Sequence, residues 1–350
     1  MAVFILLFPV FVFSQVKYSN EFLNLGVGAR GLGMSNTQTA FVSDVTATYW
    51  NPAGLAMMEH PHDLLLMHAE YFAGMAAYDY AGYAHRLDER QSIGVNLLRF
   101  AVDDIPNTTM LIDNQGNIDY SRISYFTSAD WALLLSYARM LAGDDAHTLA
   151  VGGNTKIIRR RIGDFAGAWG FGVDVGLQYR TGAWNFGAVA RDVTTTFNAW
   201  STHLGEAERA VFDSTGNELP ENGWEYTRPH LATGAACRFN WKTNFTTLLS
   251  LDAELYFDGQ RHALLSGKTL SVDPHFGMET SYKQLVFLRA GIGNFQQETD
   301  FDESTYVSCQ INFGVGFCIK KQLFVDYALT DLGDVSVALY SHVFSLRWVF

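Results

Sequence analysis

Trp169-Gly170-Phe171-Gly172-Val173-Asp174-Val175-Gly176-Leu177-Gln178-Tyr179-Arg180 alternates apolar residues with small or polar ones. Trp169, Phe171, Val173, Val175, Leu177 and Tyr179 share one face, and Gly170, Gly172, Asp174, Gly176, Gln178 and Arg180 share the other. Strands of soluble sandwiches average five or six residues, whereas a tilted strand crossing a bilayer needs about 9–11. An alternation of this length, with aromatics at both ends of the apolar face, predicts a transmembrane β-barrel with the apolar face toward lipid.

The same division recurs on both sides of this segment. Val307, Cys309, Ile311, Phe313, Val315, Phe317 and Ile319 oppose Ser308, Gln310, Asn312, Gly314 and Gly316, and Leu249 to Phe257 repeats it. Candidate strands fall near 63–72, 76–87, 91–102, 128–140, 147–160, 168–181, 184–194, 227–240, 245–258, 275–283, 285–296, 305–319, 323–331 and 340–350. The expected fold is therefore all-β, an antiparallel barrel of about 14 strands, an even number as in single-chain bacterial barrels. Short connections such as Leu87-Asp88-Glu89-Arg90 and Lys320-Lys321-Gln322 alternate with longer ones at 103–127, 161–167, 195–226, 259–274, 297–304 and 332–339. Outer-membrane barrels keep short turns in the periplasm and long loops outside, which places both termini in the periplasm of a Gram-negative cell. The last strand sets Phe344, Leu346, Trp348 and Phe350 toward lipid, and Ser345 and Arg347 inside. Its terminal aromatic resembles the signal read by the barrel-insertion machinery.

Before the strands lies Gly26 to Met58. Asn51 suits a helix N-cap and Pro52 the first helical position, so short helices are expected here. Gly26, Gly28 and Gly31 have GxGxxG spacing, but no βαβ unit surrounds them and a dinucleotide site is excluded. The run MAVFILLFPVFVFSQ, residues 1–15, is too short to span a bilayer and reads as a secretory signal cut ahead of Gln15. It lacks the basic n-region, so the signal is atypical or begins upstream. The expected organisation is signal peptide 1–14, an N-terminal segment 15–62, and barrel 63–350.

Glycine is abundant (31), proline scarce (7) and aromatics reach 14% of 350 residues, a mixture that suits strands and tight turns. A net charge of -12 excludes a nucleic-acid partner, which needs basic surface. Cys237, Cys309 and Cys318 share no metal spacing and read as small apolar fillers. In Glu59-His60-Pro61-His62 the proline makes a turn rather than a metal site. No convergent nucleophile and base exist, so neither catalysis nor a cofactor is expected.

Gly28-Ala29-Arg30-Gly31-Leu32-Gly33-Met34 resembles the GARxLGMG opening of the PorV/PorQ family of outer-membrane proteins, relatives of the FadL long-chain fatty-acid transporters. Asp44-Val45-Thr46-Ala47-Thr48-Tyr49-Trp50-Asn51-Pro52-Ala53-Gly54-Leu55-Ala56 is similar to its DVSALYWNPAGLA segment, and Val325 to Asp334 to its DYAxTxxGDLG run. The final strand departs from the family's THRISLG-like run. The resemblance implies a 14-stranded barrel with the N-terminal segment 15–62 in the lumen as a hatch or plug. It further implies a role in type IX secretion, binding and passing on exported cargo that carries C-terminal sorting domains, together with other type IX components. The alternative it implies is FadL-like transport of a hydrophobic small molecule.

Inward faces carry Lys156, Arg191, Arg238, Arg289 and Arg347 against Asp174, Asp252, Glu254 and Glu279. Buried charges pair, so a salt-bridged lumen that could hold the hatch is expected. A local apolar pocket near Phe41, Tyr49 and Trp50 is a possible ligand site. Arg159-Arg160-Arg161 reads as a solvated rim, or as a contact for anionic lipid headgroups. Trp200, Trp224 and the acidic Asp300 to Glu303 loop are candidates for touching cargo.

Overall fold

The computed structural model describes residues 19–112, 115–144, 146–215, 222–261, 263–299, 305–332 and 340–350. The expected leader and the Asp300 to Glu303 loop lie outside them. One antiparallel sheet closes on itself, because β1 (His62–Tyr71) pairs with both β2 (Ala76–Arg86) and β14 (Ser341–Val349). Between these run, in chain order, β3 (Gln91–Asn107), β4 (Ser124–Gly143), β5 (His147–Ile162), β6 (Ala166–Thr181) and β7 (Trp184–Arg191, continued by Thr196–Thr202). They are followed by β8 (Gly223–Thr227, continued by His230–Lys242), β9 (Phe245–Tyr256), β10 (Ser271–Tyr282), β11 (Val286–Thr299), β12 (Thr305–Ile319) and β13 (Leu323–Leu332). These 14 strands form the barrel; a further two-residue strand, Leu265–Ser266, pairs with β10. Closure leaves no backbone edge for lipid to satisfy.

The alternation sets the faces. On β6, Trp169 is 59% exposed and Val175 45%, while Asp174 and Gln178 are 3% and 0%. On β14, Phe344, Leu346 and Trp348 are exposed, as is Phe350 just beyond it, and Ser345 is buried. One barrel end carries the short turns and the C-terminus (the turn end) and the other the long connections (the loop end).

Three boundaries differ from the sequence expectation. β3 and β4 continue to Asn107 and back to Ser124, beyond the expected 102 and 128. Residues 161–167 form no long loop, since β5 and β6 pair up to Ile162 and Ala166. Residues 195–226 are not one loop either: β7 and β8 extend the wall as paired strands, and Glu206–Thr215 is a helix.

Near the loop end, register aligns Asp79, Arg99, Trp131, Arg159 and Trp169 on five consecutive strands. The Arg99 guanidinium lies 5.5 Å over the Trp131 ring, and that of Arg159 5.1 Å over Trp169. Such rows are aromatic girdles reinforced by cations. Alternation divides the arginine triplet, so that Arg160 pairs with Asp130 at 3.0 Å and Glu225 at 3.2 Å while Arg161 pairs with Asp164.

Candidate functional site

The lumen holds the chain from Ser19 to Pro61, which forms short helical turns and no strand. Asn51 is extended and its side chain accepts from Ala53 N at 3.2 Å, which starts a 3₁₀ helix, Pro52–Met57, with proline first. Tyr49 and Trp50 pack edge to face at 4.8 Å. The Tyr49 hydroxyl donates to the Leu23 carbonyl (2.6 Å) and accepts from Gly26 N (2.9 Å), and the Trp50 indole donates to the Val27 carbonyl (3.1 Å). Burial pushes the Tyr49 phenol up to about 12, so it stays a donor throughout the physiological range. Phe41, Tyr49 and Trp50 are buried, and Tyr49 borders a void of only about 20 Å³. The apolar pocket expected there is filled by these side chains themselves.

The wall makes room for this segment with glycines. Gly94 (β3) faces Thr48, Gly152 (β5) faces the Pro52 backbone, Gly176 (β6) faces Asn51 and Gly187 (β7) faces the Thr39 carbonyl. On the other half Gly234 faces Ala40, Gly277 and Gly291 face Met34, and Gly314 faces Gly33. A Cβ at Gly152 or Gly187 would overlap the backbone of the hatch. Gly152 pairs with Gly176, Gly187 with Gly234, and Gly277 with Gly291, so the hatch lies in a shallow groove running round the inner wall. Hydrogen bonds fix it there. Asn51 Nδ2 donates to the Leu177 carbonyl (3.0 Å), Asn154 Nδ2 to the Thr48 carbonyl (2.7 Å) and Gln178 Nε2 to the Val42 carbonyl (3.0 Å), while Thr39 N donates to Asp252 (2.9 Å).

A chain of ion pairs runs along one side of the lumen toward the turn end. Arg289 bridges Asp326 (2.6 Å) and Glu279 (2.7 Å), and Arg30 of the hatch reaches Glu279 (2.8 Å) and Asp44 (3.8 Å). Arg347 then joins Asp44 (3.7 Å) to Asp63 (2.7 Å). Two hatch residues, Arg30 and Asp44, are thus tied to one arc of the barrel wall, from β10 round to β1. Burial alone would raise the Asp44 carboxyl; the guanidiniums of Arg347 and Arg30 outweigh it and hold the group below its ordinary value. Gly28 and Gly31 line the small cavity beside this chain, and Gly54 packs on the Val42 carbonyl.

A second cluster sits where β7 breaks. Asp192 and Thr195 have φ of 56° and 59°, and Asp192 N donates to Asp174 Oδ1 at 2.8 Å. Lys156 joins Asp174 at 2.8 Å and also pairs with Asp192. Glu254 accepts from the Tyr256 hydroxyl, and Arg191 lies 5.4 Å over the Tyr49 ring. Arg238 lines the turn-end cavity and has no ion pair among the described residues. Sequence reading missed Asp63, Asp192 and Asp326; the signal available was an acidic residue at an inward position, as Asp326 is between the outward Val325 and Tyr327.

Trp200 and Trp224 are not loop residues. The Trp200 indole donates to Glu225 (2.8 Å) under the Arg160 guanidinium, and Trp224 is exposed on β8 with its ring 5.6 Å from Phe197.

Two cavities lie on either side of the hatch. A cup of about 650 Å³ opens at the loop end, bordered by the hatch and the ends of β1 and β9 to β14. A smaller one of about 170 Å³ at the turn end is lined by Arg30, Asp44, Glu279 and Arg347. No protein-family model matches the chain, and no curated sequence matches it. Solved structures do. The fold is FadL-like. The Pseudomonas putida toluene transporter TodX superposes with a TM-score of 0.57 at 15% identity, covering 93% of this chain and 99% of that one. The CymD monoaromatic hydrocarbon channel gives 0.56 at 14%, covering 93% and 98%. A Pseudomonas aeruginosa FadL homologue gives 0.50 at 11%, covering 92% and 97%.

Proposed function

We propose that this chain is a hatch-gated outer-membrane barrel that takes up a hydrophobic small molecule through the loop-end cup. The supporting observation is the likeness itself, which runs the length of both chains and includes solved structures described as toluene transporters and monoaromatic hydrocarbon channels. The loop end then faces the cell surface and both termini the periplasm. Leu25, Leu32, Tyr71 and Phe72 give the cup an apolar strip on which such a molecule can rest. Passage requires the hatch to leave its glycine groove, so the ion chain through Arg30 and Asp44 acts as the gate's fastening. The test is initial uptake of radiolabelled toluene by cells lacking their own hydrocarbon channels. Several-fold faster uptake on expression supports the reading, and unchanged uptake defeats it.

One observation favours a second reading. The hatch is bound to the wall on all sides and the lumen is polar, which suits a closed barrel that works at its outer rim. On that reading the chain is a PorV-type component that receives exported cargo in type IX secretion, as the Asp44–Ala56 resemblance implies. Crosslinking in native outer membranes followed by mass spectrometry decides it: recovery of proteins sharing a C-terminal sorting domain supports the cargo role, and recovery of the barrel alone from secreting cells contradicts it.

A further inference from the structure

The turn end is electrically lopsided. On the arc from β8 to β13 its connections carry Lys242, Lys283, Lys320 and Lys321 and no carboxylate, in a chain of net charge -12. All four lysines are exposed, and none makes an ion pair among the described residues. The inward acids of this arc near the turn end, Glu279 and Asp326, are already bound by Arg289. The opposite arc differs, since its connections hold Asp88, Glu89 and Asp144 beside Arg90.

The backbone makes these lysines more than a solvated rim. Lys283, Lys320 and Lys321 have φ of 53°, 52° and 58°. Such turn positions favour glycine or asparagine, so the lysines stand there against the backbone's own preference, as residues kept for a function do. Their direction is set by the wall. Lys242 Nζ lies 5.8 Å from the centre of the Trp241 ring and Lys283 Nζ 5.3 Å from that of Tyr282. Both rings are exposed on the lipid-facing side, and Phe245 joins them at 5.4 and 5.0 Å. These two ammoniums therefore crown an aromatic girdle, at the depth where a bilayer carries its phosphates, instead of pointing into the mouth of the lumen. A second copy of the chain on the same arc would set lysine against lysine. A phosphodiester supplies the missing negative charge where the rings already meet lipid.

We infer that this arc is a binding surface for anionic glycerophospholipid headgroups of the phosphatidylglycerol kind, taken from the leaflet at the turn end in preference to zwitterionic ones. It needs only the barrel's lipid-facing wall, whatever passes through the lumen. The test is quenching of tryptophan fluorescence in the full chain refolded into phosphatidylcholine vesicles, with dibrominated phosphatidylglycerol or dibrominated phosphatidylcholine at one mole fraction. Subtracting the signal of Trp241→Phe isolates the ring beneath Lys242. Quenching of that ring at least about two-fold stronger by the anionic lipid is expected at low salt. The preference should vanish in about 0.5 M NaCl and in Lys242→Gln combined with Lys283→Gln, Lys320→Gln and Lys321→Gln. Unchanged heat-modifiable gel mobility shows that each variant's barrel is intact. Equal quenching by the two lipids in the parent, or a preference that survives the four substitutions, overturns the inference. Neither result alters toluene uptake, so this surface and the transport reading stand or fall separately.

Discussion

At the scale of the residue, the hatch is held by absent side chains as much as by present ones. Gly152 lies against the Pro52 backbone, so Gly152→Val must displace either β5 or the 3₁₀ helix. Overpacking of this kind costs about 1–3 kcal/mol. The expected outcome is a barrel of normal heat-modified mobility whose hatch is cut by added protease, whereas the parent resists. Arg30→Ala removes the hatch's link to Glu279, leaving that buried carboxylate with Arg289 alone. Breaking a buried pair costs about 3–5 kcal/mol, and the quarter exposure of Arg30 brings the expectation to about 2–3 kcal/mol in urea unfolding from vesicles. The Asp44 carboxyl sits below its unfolded value, so its contribution is fully present above the unfolded pKa and is lost as pH falls through the folded one. The share of the hatch's protease resistance that Asp44 supplies should therefore be constant from pH 7 to 5 and be lost only below about pH 4. Loosening between pH 7 and 5 would show that another group controls the fastening.

At the scale of the element, β6 could be read from its own residues, because alternation fixes which side chains meet lipid. Val175→Arg places a cation on that face and should cost about 2–4 kcal/mol, seen as a smaller folded fraction on refolding into vesicles; normal folding would mean that the faces are reversed. The N-terminus of the Pro52 helix was also legible, through Asn51 and Pro52, although the turn is 3₁₀. The break in β7 was not. Asp192 and Thr195 take positive φ because Asp174 and Lys156, on neighbouring strands, capture Asp192, and no local pattern carries that information. For the same reason Trp200 read as a loop residue for touching cargo, when long-range pairing with Glu225 and Arg160 makes it part of the wall.

At the scale of the whole molecule, strand number and sheet closure followed from period-two alternation and the spacing of turns, whereas the luminal place of the N-terminal segment was implied only by the family resemblance. The groove of glycines did not, although each glycine stands at an inward position, because only register brings Gly152 beside Gly176 and Gly187 beside Gly234. The candidate site was legible as inward charges that pair and could hold the hatch, but not in its particular partners, since the pairing of Arg30 with Glu279 spans most of the barrel sequence. The lumen of the barrel is thus filled by its own N-terminal segment, and on the transport reading that segment closes a pore. Single-channel conductance in a planar bilayer tests this most directly. The parent chain should be silent at moderate voltage, and Arg30→Ala combined with Asp44→Ala should conduct in discrete steps as the hatch leaves the lumen. Steady conductance by the parent, or silence of the double variant with its barrel intact, would contradict a lumen closed by this fastening.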